Sequence, residues 1–209
     1  IAAKKNDPNA LFYLGNCHLH GRGVRKSQSK AASYFQRASD LGHANSQFAL
    51  ARMYSEGDGV PQDHLKATQL YMQAASSGHA DAQFTLGCMH YSGDRRTAIE
   101  LFKKSADGGN LNAQCRLAGL YLMGEEGVLE KDARKAFELY QKAADNGHLT
   151  AKLELGLLLL EGEEGVSKDI QKAAQLFEQA ANLGDKEAQF NIGVLYYKGL
   201  GVPEDKMKS

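Results

Sequence analysis

One pattern recurs six times along the 209 residues and constrains the fold more tightly than any bulk property. The copies align on an apolar anchor: Leu14, Leu50, Leu86, Leu117, Leu155 and Ile192, at intervals of 36, 36, 31, 38 and 37 residues. Four positions before each anchor stands a small residue (Ala10, Ser46, Ala82, Ala113, Ala151, Ala188), and directly after it comes Gly or Ala. Seven positions after it comes Gly21, Gly57, Gly93, Gly124, Gly162 or Gly199. A unit this short cannot bury its apolar side alone. The core has to form between stacked neighbours, so such a chain folds as an array.

Each unit reads as two helices. A small residue, an anchor four positions later and further apolar residues three or four beyond it make a stripe of helical period, here called helix A. Turns such as "GRGV", "GDGV" and "GLGV" end it, because glycine accepts left-handed backbone at a helix stop. Ser27, Asp63, Asp132, Asp169 and Asp205 then stand where helix B needs a side-chain N-cap, and in repeat three the shortened turn "SGDRRTA" leaves that task to Asp94. Helix B is carried by "KAASYFQRAS", "KATQLYMQAA", "TAIELFKKSA", "KAFELYQKAA" and "KAAQLFEQAA", each stopped by a glycine. The constant Gly or Ala after the anchor, including Gly156 and Gly193, predicts a close helix approach at that point.

These residues together resemble the Sel-1-like repeat, a relative of the tetratricopeptide repeat, over essentially the whole chain. The resemblance implies an all-α fold: antiparallel helix pairs stacked into a right-handed superhelical solenoid that serves protein–protein interaction. On this register, residues 1–7 end a preceding helix B, with Ala2 and Ala3 on its paired alanines. Residues 8–43, 44–79, 80–110, 111–148 and 149–185 are five complete repeats, and 186–209 begin a sixth. Neither end carries a polar capping repeat, so the native protein is expected to continue on both sides.

Composition narrows the function. Lys+Arg and Asp+Glu both number 25, so no basic excess points to nucleic acid. No apolar run reaches the ~20 residues of a membrane span, and three scattered cysteines do not make a disulfide framework. A cytoplasmic protein without cofactor is the expectation. "CHLHG" (17–21) and "CMH" (88–90) hold metal-ligating residue types, but they fall in packing columns shared with Tyr54, Tyr121 and Tyr196. His43, His79 and His148 read as polar residues at repeat junctions. No nucleophile elbow, phosphate loop or Cys-x-x-Cys occurs, so no enzyme is expected.

The run "LELGLLLL" (153–160) is too apolar for one buried face. Ala151, Leu155, Leu158 and Leu159 make the core stripe. Residues two before, two after and five after each anchor make a second one: Leu153, Leu157 and Leu160 in repeat five, and Phe84, Cys88 and Tyr91 in repeat three. In tetratricopeptide relatives the corresponding face lines a concave groove. Two roles compete for it, packing against the neighbouring helix A and contact with a ligand. The ligand reading places a partner peptide or helix against Arg52, Phe84, Tyr91, Leu122, Met123, Leu153, Leu157, Leu160, Phe190, Val194 and Tyr197. The alternative is a self-assembly module giving a homo-oligomer. A small-molecule-binding or enzymatic repeat protein ranks below both.

Overall fold

The computed structural model describes residues 7–201. They form α1 (Pro8–His20), α2 (Gln28–Asp40), α3 (Ala44–Glu56), α4 (His64–Ser76), α5 (Ala80–His90), α6 (Arg95–Asp107), α7 (Leu111–Met123), α8 (Ala133–Asp145), α9 (Leu149–Glu161), α10 (Ile170–Asn182) and α11 (Lys186–Lys198). Odd-numbered helices are the A helices and even-numbered ones the B helices. The chain divides into two compact units, residues 1–110 with α1–α6 and residues 111–209 with α7–α11.

Capping sets the helix limits. Ser27, Asp63, Asp94, Asp132 and Asp169 each accept the backbone N–H three residues on and so start the B helices. In the short turn of repeat three, Asp94 also accepts the Thr97 hydroxyl at 2.6 Å. That bond, with the Thr97 amide, holds its carboxyl below the usual range. Asp205, Ala2 and Ala3 lie outside the described residues. The A helices start on a different cap. Nδ1 of His43, His79 and His148 accepts the N–H of Ser46, Ala82 and Ala151, and Asp185 does the same for Ala188. The junction histidines are therefore N-caps. Helix α1 ends on Gly21 (φ 74°) and α3 on Gly57 (φ 77°), left-handed positions that favour glycine.

In repeats one, three and five an aromatic ring of helix B lies over the glycine that follows the anchor. A Cβ placed on Gly15, Gly87 or Gly156 would come 2.4, 2.6 or 2.6 Å from the ring of Phe35, Phe102 or Phe177. All three rings are fully buried. Where the position is alanine, at Ala51 and Ala118, the ring in register is a tyrosine, Tyr71 or Tyr140. The expected close approach thus holds at Gly156. At Gly193 nothing among the described residues lies within 4 Å of the added Cβ.

Neighbouring repeats inside a unit are tied by polar groups as well as by the core. Gln83 Nε2 donates to the Ala75 carbonyl at 3.1 Å, and Gln189 Nε2 to the Ala181 carbonyl at 3.2 Å. Both carbonyls belong to the last turn of the preceding helix B, where each also accepts a turn N–H, from Gly78 at 3.0 Å and from Gly184 at 2.9 Å. Gln47 and Gln114 occupy the same register and are buried. The second turn glycine also marks a junction: a Cβ on Gly59 would sit 2.5 Å from the Gln28 backbone at the start of α2.

Candidate functional site

The second stripe of the A helices divides by position. The residue two before the anchor is mostly covered. Phe12 lies 5.7 Å from Phe35 and 5.0 Å from the His43 ring, and Phe48 lies 5.7 Å from Tyr71 and stacks on His79 at 4.6 Å. Phe84 lies 5.7 Å from Phe102. Leu153 is 5% exposed, inside the core of the second unit. Leu153 is thus part of the core, while Phe84 is half-buried beside the Phe102 ring. A capping histidine or a helix B ring lies beside each of the three phenylalanines Phe12, Phe48 and Phe84. Phe190 is 70% exposed among the described residues.

Positions two and five after the anchor behave differently. In the first unit, Arg52 is exposed and pairs with Glu56 at 3.5 Å. Tyr91 is half-buried, 6.2 Å from the Phe102 ring, with the Arg95 guanidinium 5.3 Å from its own. In the second unit, Leu122, Leu157 and Leu160 are half-buried against the core, and Met123 is 75% exposed. On α11, Val194 is half-buried and Tyr197 is 93% exposed. The leucine run is therefore split: Leu153, Leu155, Leu158 and Leu159 are buried, while Leu157 and Leu160 keep one side open.

A cavity of about 460 Å³ opens on this face of the first unit, over Phe12, Asn16, Phe48, Arg52 and Glu56. A larger one of about 870 Å³ lies elsewhere in the second unit, on the helix B side between Arg134, Phe137, Val166, Ile170 and Lys172. Its rim reaches Gly201, the last described residue.

The second unit also gathers titratable groups beneath the stripe. Burial pushes the Cys115 thiol up to about 11, and the Glu154 carboxylate adds to the effect. Burial raises the Tyr140 hydroxyl strongly as well, again helped by Glu154 and then Cys115. Glu154 itself is raised by burial and by Glu187. Among the described residues no group of three or more His, Cys, Asp or Glu is placed to hold a metal ion, and no helix is long and apolar enough to cross a membrane.

Two sets of residues escape the sequence reading, the glutamine ties and the histidine caps. The signal for the first was Gln at one register in four repeats, at positions 47, 83, 114 and 189. For the second it was a histidine three residues before the small residue of helix A.

The Sel1 repeat profile matches residues 8–43, 44–79, 80–110, 111–148, 150–185 and 186–209. Among solved structures, the chain is similar to a Sel1 repeat protein from Oxalobacter formigenes, with 27% identity and a TM-score of 0.83 over 96% of this chain and 84% of that one. It is also similar to a protective antigen of uropathogenic Escherichia coli strains that displays an SLR fold, at 31% identity and a TM-score of 0.63. That match covers 96% of this chain but only 51% of the antigen, about half its length. An immunity protein from Pseudomonas aeruginosa shares the fold, at 21% identity and a TM-score of 0.58 over 90% of this chain and 70% of its own. No curated protein matches the chain. Six profile matches, an all-helical array of repeated hairpins and solenoid neighbours lead to one conclusion: the chain belongs to the Sel1 repeat family, typically a non-catalytic fold whose repeats generally act as protein–protein interaction scaffolds.

Proposed function

We propose that this chain, a single repeat domain in function, binds a partner peptide or helix on the stripe of its A helices, with the second unit supplying the apolar anchor sites. The observation that carries the reading is the row formed by Leu122 and Met123 on α7 with Leu157 and Leu160 on α9. These are apolar side chains on consecutive A helices of one unit, and each keeps exposed surface. Covering one such side chain contributes roughly 1.5–3 kcal/mol before the costs of association. Arg52 and Tyr91 extend the proposed contact set in the first unit. Val194, Tyr197 and Phe190 extend it on α11.

Photo-crosslinking in the full-length protein tests this. A photoreactive amino acid at Met123 or Leu160 is expected to give a discrete protein adduct, and the same group at Lys142 or Gln175 on the exposed B helices is not. Adducts from Lys142 and Gln175 alone would move the binding face to the B helices.

A second reading, self-assembly, draws on α11, where Phe190 and Tyr197 are exposed among the described residues. Light scattering over a concentration series separates the two. A mass that rises with concentration and falls back on Tyr197→Lys would favour assembly.

A further inference from the structure

Repeats two and four carry the same helix B ring, Tyr71 and Tyr140, but differ at the position two after the anchor. In repeat two that position is Arg52, paired with Glu56, and both charges act on the Tyr71 hydroxyl. In repeat four it is Gly119. A Cβ built there would meet a single group within 4 Å, the Tyr140 hydroxyl oxygen at 3.3 Å. The space that an arginine side chain takes in repeat two is thus left open in repeat four.

Acceptors border that space. The Tyr140 hydroxyl makes no hydrogen bond among the described residues. Glu154 on α9 lies within electrostatic reach of both Tyr140 and Cys115, is half-buried, and has no hydrogen bond or ion pair among the described residues. Glu187 on α11 adds a second negative charge nearby. Among the described residues no lysine or arginine charge offsets the burial and the Glu187 charge that raise Glu154. A half-buried carboxylate without a counter-charge is costly, and it gains most from a cation brought into the same partly dry space. The neighbouring stripe residues Leu122 and Leu157 are apolar, which suits the methylene stem of a long basic side chain.

The geometry points to a docking site for a basic side chain: a partner's arginine or lysine enters over Gly119, sets its charged head between the Tyr140 hydroxyl and the Glu154 carboxylate, and lays its stem along Leu122. The partner then supplies in repeat four the cation that Arg52 supplies within the chain in repeat two. This rests on the proposed groove binding and adds the chemistry of one anchor, so the preferred partner segment is apolar with a basic residue, not acidic.

The test supplies the cation within the chain. Gly119→Arg, Glu154→Gln and the double variant are unfolded in urea at pH 7 beside the unchanged protein. Gly119→Arg is expected to favour folding at least threefold more when Glu154 is present than when it is made in the Glu154→Gln background. Equal effects in the two backgrounds would overturn the site. Should Gly119→Arg fail to fold, the unchanged protein is titrated with butylguanidinium and, as the neutral control, butylurea, while the Glu154 carboxyl resonance is followed by NMR. A saturable downward shift of the Glu154 titration with butylguanidinium alone supports the site, and identical behaviour with both probes refutes it. Neither arm requires the partner. A positive result without crosslinks from Met123 or Leu160 would leave the cation site standing and sink the groove reading, and the reverse pattern would do the opposite.

Discussion

At the scale of the residue, the fold turns on one contact that recurs in repeats one, three and five. The Phe177 ring sits so close to Gly156 that an alanine Cβ would come within 2.6 Å of it, whereas Glu164 stands exposed in the turn that follows. Substitutions at the two sites should therefore differ in cost. Gly156→Ala is expected to lose ~1–3 kcal/mol by overpacking. Glu164→Gln should stay within ~0.5 kcal/mol. Urea midpoints of the two variants decide the matter, and equal shifts would contradict the ring-on-glycine account. Thiol reactivity gives a second reading at this scale. Cys88 is exposed, Cys17 is buried, and Cys115 is half-buried with a thiol held up to about 11. A disulfide-exchange reagent at pH 8 should modify one thiol quickly in the folded protein and all three in urea. Fast modification of Cys115 in the folded protein would be inconsistent with its burial.

The elements owe their ends to caps, and three of those caps titrate. His43, His79 and His148 start α3, α5 and α9 through an unprotonated Nδ1. In His148, Nε2 meets Asn112 Oδ1 at 3.0 Å, which fixes the tautomer. Burial lowers all three from the ordinary value of 6.5. A lowered folded-state value means that the unfolded chain takes up protons first. The stability from these caps is therefore complete above about pH 6.5 and falls away as the pH drops below it toward the lowered folded values. The triple change His43→Asp, His79→Asp, His148→Asp copies the Asp185 cap of α11. It should flatten the fall in melting temperature between pH 7.5 and 5.5, and an unchanged slope would show that the caps do not carry it. Why these positions are histidine is visible only in three dimensions. The ring of His43 lies on Phe12 and that of His79 on Phe48, so cap and lid are one residue. From the sequence alone they were polar residues at a junction, because the aromatic partner sits more than thirty positions earlier.

Over the whole molecule, the helices and their order were legible because one pattern is written six times. Small residue, anchor, turn glycine and cap recur in register, and a misreading in one copy is corrected by the others. The face open to a partner was legible only in part. Leu153, Leu157 and Leu160 share one stripe on α9, yet Leu153 is closed off and the other two are not. The difference lies in what neighbouring helices place over each side chain, which helical periodicity does not encode. The same holds at Phe84, half-buried beside Phe102, and at Gly119, where a missing side chain beside Tyr140 leaves room that no motif announces.

The open row on α7 and α9 either binds a partner, as proposed, or is unfinished packing. Met123, at 75% exposure, separates the two most cleanly. Met123→Glu is measured twice, by thermal melt and by the affinity of the purified protein for the partner recovered through crosslinking. If the row binds the partner, folding changes by no more than ~0.5 kcal/mol, as for other surface substitutions, and affinity falls at least tenfold. A lowered melting temperature with affinity intact would contradict the proposal and return the row to the core.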